Sequence, residues 1–297
     1  MNALDIKDRV MGRVSRLSRR LKEMAVRWHG PRVIRGKYGL RYLFLPGSAL
    51  DRHLLLHGIL PDWIALHVGE IVPPDGIVFD VGANVGLLTA PFAKQLPRGQ
   101  VYAFEPDFEN TCQLYVNVRL NDLDNVVIES LALQDNARVR EIALHIRRAV
   151  DGDGLVNQGL STLKQMPVHT IAVRDVPAST IDVYVHEKSI TRIDLIKVDV
   201  EGAEQMVLKG AECTLSRMHP IVLYEFSTEI DRLTQTENST ACFRLMENLG
   251  YRQYEIVREQ VLVELLEVPV DRHGCNVLCW PPSRDTAVLS SFVRPAR

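Results

Sequence analysis

Ile77-Val78-Phe79-Asp80-Val81-Gly82-Ala83-Asn84-Val85-Gly86-Leu87-Leu88-Thr89 is the stretch that decides the fold. It opens as a short apolar run, Ile77-Val78-Phe79, of the kind that forms a buried parallel strand. An acid, Asp80, closes the run. Gly82 and Gly86 then frame a turn, after which apolar residues return at helical spacing. Glycine lets backbone approach a ligand closely, and the amino end of a helix offers unpaired N–H groups. A buried strand, an acid, a glycine turn and a helix together make a site for a nucleotide-like ligand.

The pattern on either side extends this start. Pro73-Pro74-Asp75-Gly76 is a stop and a turn, and a main domain is expected to begin there. From Ile77 onward strand and helix alternate. Strands are expected over 77–81, 101–105, 126–131, 194–199 and 221–226. Helices are expected over about 85–95, 108–120, 202–217 and 239–249. Alternation with short links implies a parallel sheet covered by helices on both faces. The rhythm breaks once. Strand-like runs at 139–146 and 168–176 flank a loop, 151–163, rich in Gly, Asp, Asn and Ser, which reads as an inserted antiparallel hairpin placed to cover a site. Two closing strands, 251–257 and 274–280, suggest an antiparallel sheet edge. The tail beyond Pro281 is expected to fray.

Before the main domain, two strand-like runs around Lys37-Tyr38-Gly39 suggest a hairpin, and 49–72 reads as helix interrupted by Pro61. Residues 4–28 read as a basic helix with Val10, Val14, Leu17, Leu21 and Met24 at steps of three and four. Such a helix could make peripheral contact with a membrane or pack on a partner, a second copy of the chain included. The expected division is an extension over 1–74, a catalytic domain over 75–282 and a tail over 283–297.

Composition narrows the partners. Residues 1–37 carry eleven Lys or Arg against three Asp or Glu, while the whole chain of 297 residues has a formal net charge of −2. The remainder is therefore acidic, which argues against nucleic acid as a partner. Cys112, Cys213, Cys242, Cys275 and Cys279 show no disulfide or metal spacing, which reads as reduced thiols in a cytoplasm. No apolar run reaches membrane-spanning length, and the amino terminus lacks the apolar core of a signal peptide.

The glycine spacing selects among nucleotide ligands. Dinucleotide oxidoreductases present G-x-G-x-x-G, which leaves a middle glycine for the pyrophosphate. Here that middle glycine is missing. Asp80-x-Gly82-x-x-x-Gly86 suits a ligand with an amino-acid part and a nucleoside but no phosphate, a description that S-adenosylmethionine fits. Asp80, Gly82, Ala83, Asn84, Gly86 and Thr89 are the candidates around its methionine part. Phe104-Glu105-Pro106 closes the second strand, where a carboxylate can hold a ribose diol. Ala132, just past the third strand, is expected near the base.

The reaction end is expected at the carboxyl ends of the fourth and fifth strands, the ligand edge of an open α/β sheet. Lys197-Val198-Asp199-Val200-Glu201-Gly202 supplies the candidates there. Strand alternation sends Lys197 and Asp199 to one side and Ile196 and Val198 to the other. A Lys and an Asp are costly to bury without a partner or a task. Asp199 is the preferred base, with Lys197 to pair with it or to polarise a substrate oxygen. Glu201 and Glu225 are further candidates for contact with a hydroxyl, while Glu204 reads more simply as a charge suited to a helix start. Asp199, Glu201 and Glu225 are hard oxygen donors, yet no spacing among them demands a metal. Asp151-Gly152-Asp153-Gly154 reads as a polar turn. His53 and His57 lack the third ligand that zinc requires.

With these residues in place, the chain resembles the FkbM-type S-adenosylmethionine-dependent methyltransferases over about residues 75–227. The likeness rests on Phe79 through Gly86, on Phe104-Glu105-Pro106 with Asn117 in the next helix, on Ile193 through Glu204, and on Val222-Leu223-Tyr224-Glu225. It implies a Rossmann-like class I methyltransferase fold with a seven-stranded, mostly parallel sheet, to which this chain adds the hairpin and a helical extension. It also implies transfer to a hydroxyl of a sugar, glycan, lipid or secondary metabolite. RNA or protein as acceptor is the alternative on the same fold; the acidic main domain opposes RNA. No Asn/Asp-Pro-Pro-Tyr/Phe motif of nitrogen methylation follows the fourth strand. An NAD-dependent oxidoreductase is opposed by the missing glycine.

Overall fold

The computed structural model describes residues 31–45, 63–150, 156–157, 159–165, 169–258, 261–269 and 274–294. The expectations for 4–28, His53, His57 and Asp151–Gly154 lie outside these residues. The described residues open with a hairpin, β1 (Arg32–Arg35) and β2 (Arg41–Phe44), paired antiparallel. Its connection turns through Tyr38 at φ 55 and Gly39 at φ 71. Helix α1 (Trp63–Ile71) follows. Then come β3 (Ile77–Val81), α2 (Thr89–Gln95), β4 (Gln100–Phe104), α3 (Phe108–Leu120) and β5 (Val126–Glu129). The inserted region holds β6 (Ala132–Leu133), β7 (Glu141–Arg147), β8 (Ala149–Val150), β9 (Val156–Asn157) and β10 (Thr170–Ser179). The alternation resumes with α4 (Ile181–Glu187), β11 (Leu195–Val198), α5 (Glu204–Lys209), α6 (Glu212–Met218) and β12 (Ile221–Phe226). The chain closes with α7 (Thr228–Thr234), α8 (Asn238–Asn248), β13 (Arg252–Arg258), β14 (Val261–Leu265), β15 (Cys275–Trp280) and β16 (Val293–Arg294).

The main sheet runs β16-β14-β13-β15-β12-β11-β3-β4-β5. From β12 to β5 every pair is parallel, and β15 joins β12 antiparallel. The seven strands from β5 to β13 are the expected sheet. β14 and β16 widen it at the antiparallel edge. Side-chain alternation then splits the core in two. Val78, Val101, Ala103, Leu195 and Leu223 face one side with Trp63, Ile64, Phe92 and Leu114. Phe79, Phe104, Ile196, Val198, Val222 and Tyr224 face the other with Tyr184, Val207, Leu208 and Leu215. Helices therefore cover both faces, as the βα rhythm requires.

Four departures from the sequence reading have physical causes. Helix α2 starts at Thr89 rather than near Val85, because Asn84 (φ 51) and Gly86 (φ 87) adopt left-handed backbone that no α-helix can contain. The helix expected over 202–217 is two helices. It breaks at Gly210, where a Cβ would stand 2.0 Å from the Gln134 carbonyl oxygen. Helix α4 goes unannounced because it is short and rich in β-branched residues; Thr180 caps it by accepting from Val183 N at 3.1 Å. The tail beyond Pro281 is not frayed over 282–294. Leu289 and Phe292 are buried, Leu262 N donates to Phe292 O at 2.9 Å, and the Arg284 guanidinium lies 3.0 Å from Asp194 Oδ1.

Candidate active site

The glycine turn after β3 is built by close approach. Gly82 has φ 75, and a Cβ there would stand 1.8 Å from the Asp199 carbonyl oxygen. No other residue type fits between the ends of β3 and β11. The Gly82 and Ala83 amides both donate to Phe104 O at 3.0 Å, which ties the turn to β4 as well. Asn84 N donates to Glu105 Oε2 at 2.8 Å, and Asp107 N donates to Glu105 Oε1 at 2.9 Å. Both oxygens of Glu105 thus take a backbone amide, and each keeps a further lone pair for a ligand. Burial pushes the Glu105 carboxyl up to about 7, against the pull of these two amides.

A buried ion pair lies beneath the turn. Asp80 and Lys197 are register partners on β3 and β11. Asp80 is 0% exposed and the Lys197 side chain 5%. Lys197 Nζ donates to Gly82 O at 2.7 Å and to Val81 O at 3.3 Å, and it lies 3.4 Å from Asp80 Oδ1 and 3.6 Å from Asp199 Oδ2. Thr89 Oγ1 donates to Asp80 Oδ2 at 2.6 Å. The lysine therefore draws the glycine turn onto the strand end and anchors Asp199 at the same time. Breaking such a pair would leave an uncompensated buried charge.

The turn after β11 is also wired internally. Glu201 (φ 55) and Gly202 (φ 97) are left-handed. Glu204 accepts from Val200 N at 3.0 Å and Gly202 N at 3.2 Å through Oε1, and from Asn238 Nδ2 at 2.8 Å through Oε2. Glu204 is thus the strut of this turn. Asp199 stands at the rim with its side chain 48% exposed. Burial raises Glu201 to about 9, helped by the charges of Asp199, Glu225 and Glu204 and opposed by Arg147. Burial likewise raises Glu225 to about 8, with Asp199 and Glu204 adding to the rise and Lys197 lowering it.

These elements enclose a cavity of about 270 Å³. Gly82, Ala83, Asn84, Glu105, Pro106, Ala132, Lys197, Asp199 and Glu201 line it. Asp80, Gly86, Thr89 and Glu225 are not among the lining residues. Asp80 and Thr89 act from behind, through the ion pair and the hydroxyl bond just described. Gly86 packs beneath Leu114, and Glu225 neighbours Asp199 and Glu204 electrostatically.

The inserted region supplies part of the wall, as expected of a loop placed to cover the site. Leu144, Gly159, Ser161, Thr162 and Leu163 belong to the wall. Ser161 Oγ donates to Asp107 Oδ2 at 2.9 Å, and Arg148 Nη2 reaches the same oxygen at 3.1 Å. Arg148 Nη1 also donates to Ser161 Oγ at 3.2 Å. On the other side Thr162 Oγ1 donates to Glu201 O at 2.8 Å. The loop is therefore fastened at both ends of the cavity. Asp107 and Arg148 carry one of these fastenings and escape the sequence reading; Asp107 N-caps α3 through Glu109 N, and Arg148 had no signal at all. Among the described residues no group of three or more His, Cys, Asp or Glu could hold a metal ion, and no helix is long and apolar enough to cross a membrane.

Known proteins match this chain over the same region. A family model described as the methyltransferase FkbM domain matches residues 80–253. The AMB antimetabolite synthetase AmbE of Pseudomonas aeruginosa is 27% identical over 249 residues, covering 73% of this chain and 11% of that protein. The 2-O-methyltransferase NoeI of Sinorhizobium fredii is 29% identical over 158 residues, covering 50% of this chain and 63% of that protein. The 31-O-demethyl-FK506 methyltransferase FkbM of Streptomyces tacrolimicus is 28% identical over 204 residues, covering 57% of this chain and 75% of that protein. The chain thus spans about a tenth of the first relative and just under two thirds of the second.

Proposed function

We propose, on the premise that the chain belongs to the methyltransferase FkbM family, whose cofactor is S-adenosylmethionine, that it methylates a hydroxyl oxygen of a small molecule or glycan. One observation carries the reading. A single cavity runs from Gly82 and Glu105 to Asp199 and Glu201, so one wall suits a nucleoside and the other a proton acceptor. The cavity fits the cofactor chemically. Its glycine turn admits close approach, Glu105 is a buried carboxylate with lone pairs to spare, and the side-chain oxygens of Asn84 and Asn110 have no hydrogen-bond partner.

When bound, the cofactor supplies a methyl carbon activated by a sulfonium leaving group. The residues of this chain do the rest. Glu105 accepts from the ribose hydroxyls. The backbone of Gly82 to Asn84 adjoins the methionine part. Lys197 keeps that backbone in place and holds the Asp199 carboxylate at the rim. Asp199 accepts the proton that the acceptor hydroxyl loses, and Glu201, beside it on the same wall, orients that hydroxyl, with Glu225 setting the charge behind them. Positioning plus a general base accounts for most of what such a transfer needs. The names of the NoeI and FkbM relatives, both of which specify an oxygen position, support an oxygen acceptor.

We place the enzyme in the cytoplasm, on the spacing of its five cysteines, which fits no disulfide or metal pattern. Peripheral membrane contact through residues 4–28 and self-association belong to the same proposal; vesicle sedimentation and light scattering of the full chain test them. The central test is calorimetry with S-adenosylhomocysteine, followed by mass spectrometry of metabolite and glycan extracts incubated with methyl-labelled cofactor. Binding with a gain of one methyl on oxygen is expected. Absence of cofactor binding overturns the reading.

A further inference from the structure

The binding scheme above gives Asn110 no partner, yet its position is unusual. It sits in the first turn of α3, three residues after the Asp107 cap, and is 3% exposed. The residue is among those that line the cavity, with Glu105 and Pro106. Its Oδ1 is buried without a hydrogen-bond partner. A buried amide oxygen with no partner forfeits its hydration and recovers nothing for it. A ligand donor would restore the balance.

The rest of this wall indicates which donor. The ribose hydroxyls already have a stronger acceptor in the Glu105 carboxylate. The remaining lining at the ends of β4 and β5 is apolar, from Phe104, Leu131 and Leu133, which suits the faces of a flat base. A carboxamide offers an acceptor and a donor side by side. Adenine presents the complementary pair on one edge, the exocyclic amine and ring N7, and asparagine matches that pair with two bonds.

Building on the cofactor site assigned above, we propose that Asn110 reads the base of the cofactor, its Oδ1 accepting from the exocyclic amine of adenine and its Nδ2 donating to N7. Asn110 is then a specificity determinant that selects an aminopurine nucleoside.

The test measures binding, not turnover. Titration calorimetry compares S-adenosylhomocysteine with its inosine and 7-deaza counterparts, on the full chain. The wild type should bind the adenine compound roughly tenfold more tightly than either analogue, the worth of one hydrogen bond apiece. Asn110→Ala should bind all three about equally. Asn110→Asp keeps the acceptor and suits a helix first turn. It should retain the preference over the inosine compound and lose that over the 7-deaza compound. Thermal unfolding of both variants reports whether they fold, and the aspartate variant carries the test if the alanine variant does not. If the variants weaken all three ligands by one common factor, or the wild type ranks them equally, Asn110 does not read the base and the inference fails while the cofactor site stands. If the wild type binds none of the three, the proposed function falls, and this inference with it.

Discussion

The two ends of the cavity are built on different principles. At the Glu105 end the framework is tied to itself, while the side-chain oxygens of Asn84 and Asn110 are left for a ligand. Lys197, Asp80 and Thr89 form a closed buried set, and the turn amides go to Phe104 O and to Glu105. At the Asp199 end, carboxyls crowd together. Glu201 and Glu225 are pushed up to about 9 and about 8, and Asp199 faces outward at the rim. The first end is a rigid socket whose shape is fixed before a ligand arrives. The second holds carboxyls in their protonated form, from which a nearby cation can draw protons. On the proposed function, cofactor recognition falls to the socket, and the choice and activation of the acceptor to the crowded end.

The sharpest way to break this contrast is Gly82→Ala. The new Cβ would overlap the Asp199 carbonyl, and φ 75 is strained for alanine. The strand ends that both halves share must then separate. A loss of about 3 kcal/mol or more in denaturant unfolding is expected, with cofactor binding abolished. If the variant folds and binds normally, the close approach of β3 and β11 is not what shapes the socket.

Asp199→Asn separates the halves. The amide preserves shape but cannot accept the proton. Turnover should fall by about 10² to 10⁴ while the dissociation constant of S-adenosylhomocysteine stays within about threefold. A collapse of cofactor affinity instead would move Asp199 into the socket, through its contact with Lys197.

The crowded end also predicts a pH dependence with a definite sign. Glu201 and Glu225 have raised values in the folded state and the ordinary value of 4.5 when unfolded. Between that value and about 8 to 9 the folded protein binds more protons than the unfolded chain. Stability of the ligand-free protein should therefore fall as pH rises through this window. Glu225→Gln removes one of the two groups, so its decline should be shallower and its unfolding midpoint at pH 8 higher than that of the wild type. A sulfonium charge nearby would favour the ionised carboxyls. Calorimetry in buffers of different ionisation enthalpy should then show more protons released on binding S-adenosylmethionine than on binding S-adenosylhomocysteine.

The same contrast explains what the sequence disclosed. The socket uses residues close in the chain, at spacings set by strand and turn geometry, so Asp80, Gly82 and Glu105 announce themselves. So does Lys197, because a lysine inside an apolar strand needs a partner. The exact jobs do not announce themselves. Nothing in the spacing says that Thr89 serves Asp80, or that Glu204 braces the turn before it. The wall from the inserted region was legible as a break in rhythm and as a loop placed over the site, but its fastening was not. Its fastening depends on Arg148 meeting Asp107 across 41 positions, a pairing that no local pattern encodes. The widened sheet edge was missed for a similar reason: β16 is two residues long and pairs with β14 across the tail.

The smallest expected effect tests that fastening. Ser161 bridges Arg148 and Asp107, and its backbone lies in a loop that also reaches Glu201 through Thr162. Ser161→Ala leaves the Arg148–Asp107 ion pair and the Asp107 cap intact. It removes one hydroxyl from the loop's attachment at the Glu105 end. Global stability should change by no more than about 2 kcal/mol, since the two hydrogen bonds of Ser161 Oγ, to Asp107 and from Arg148, are lost at the wall. Amide exchange over Gly159–Leu163 should quicken, and cofactor affinity should fall by about three- to fivefold with turnover nearly unchanged. Because Thr162 still anchors the loop to the turn after β11, the loosening should be confined to the socket end. If turnover falls while affinity holds, the loop serves the acceptor half, and the inserted region belongs with the crowded carboxyls and not with the socket.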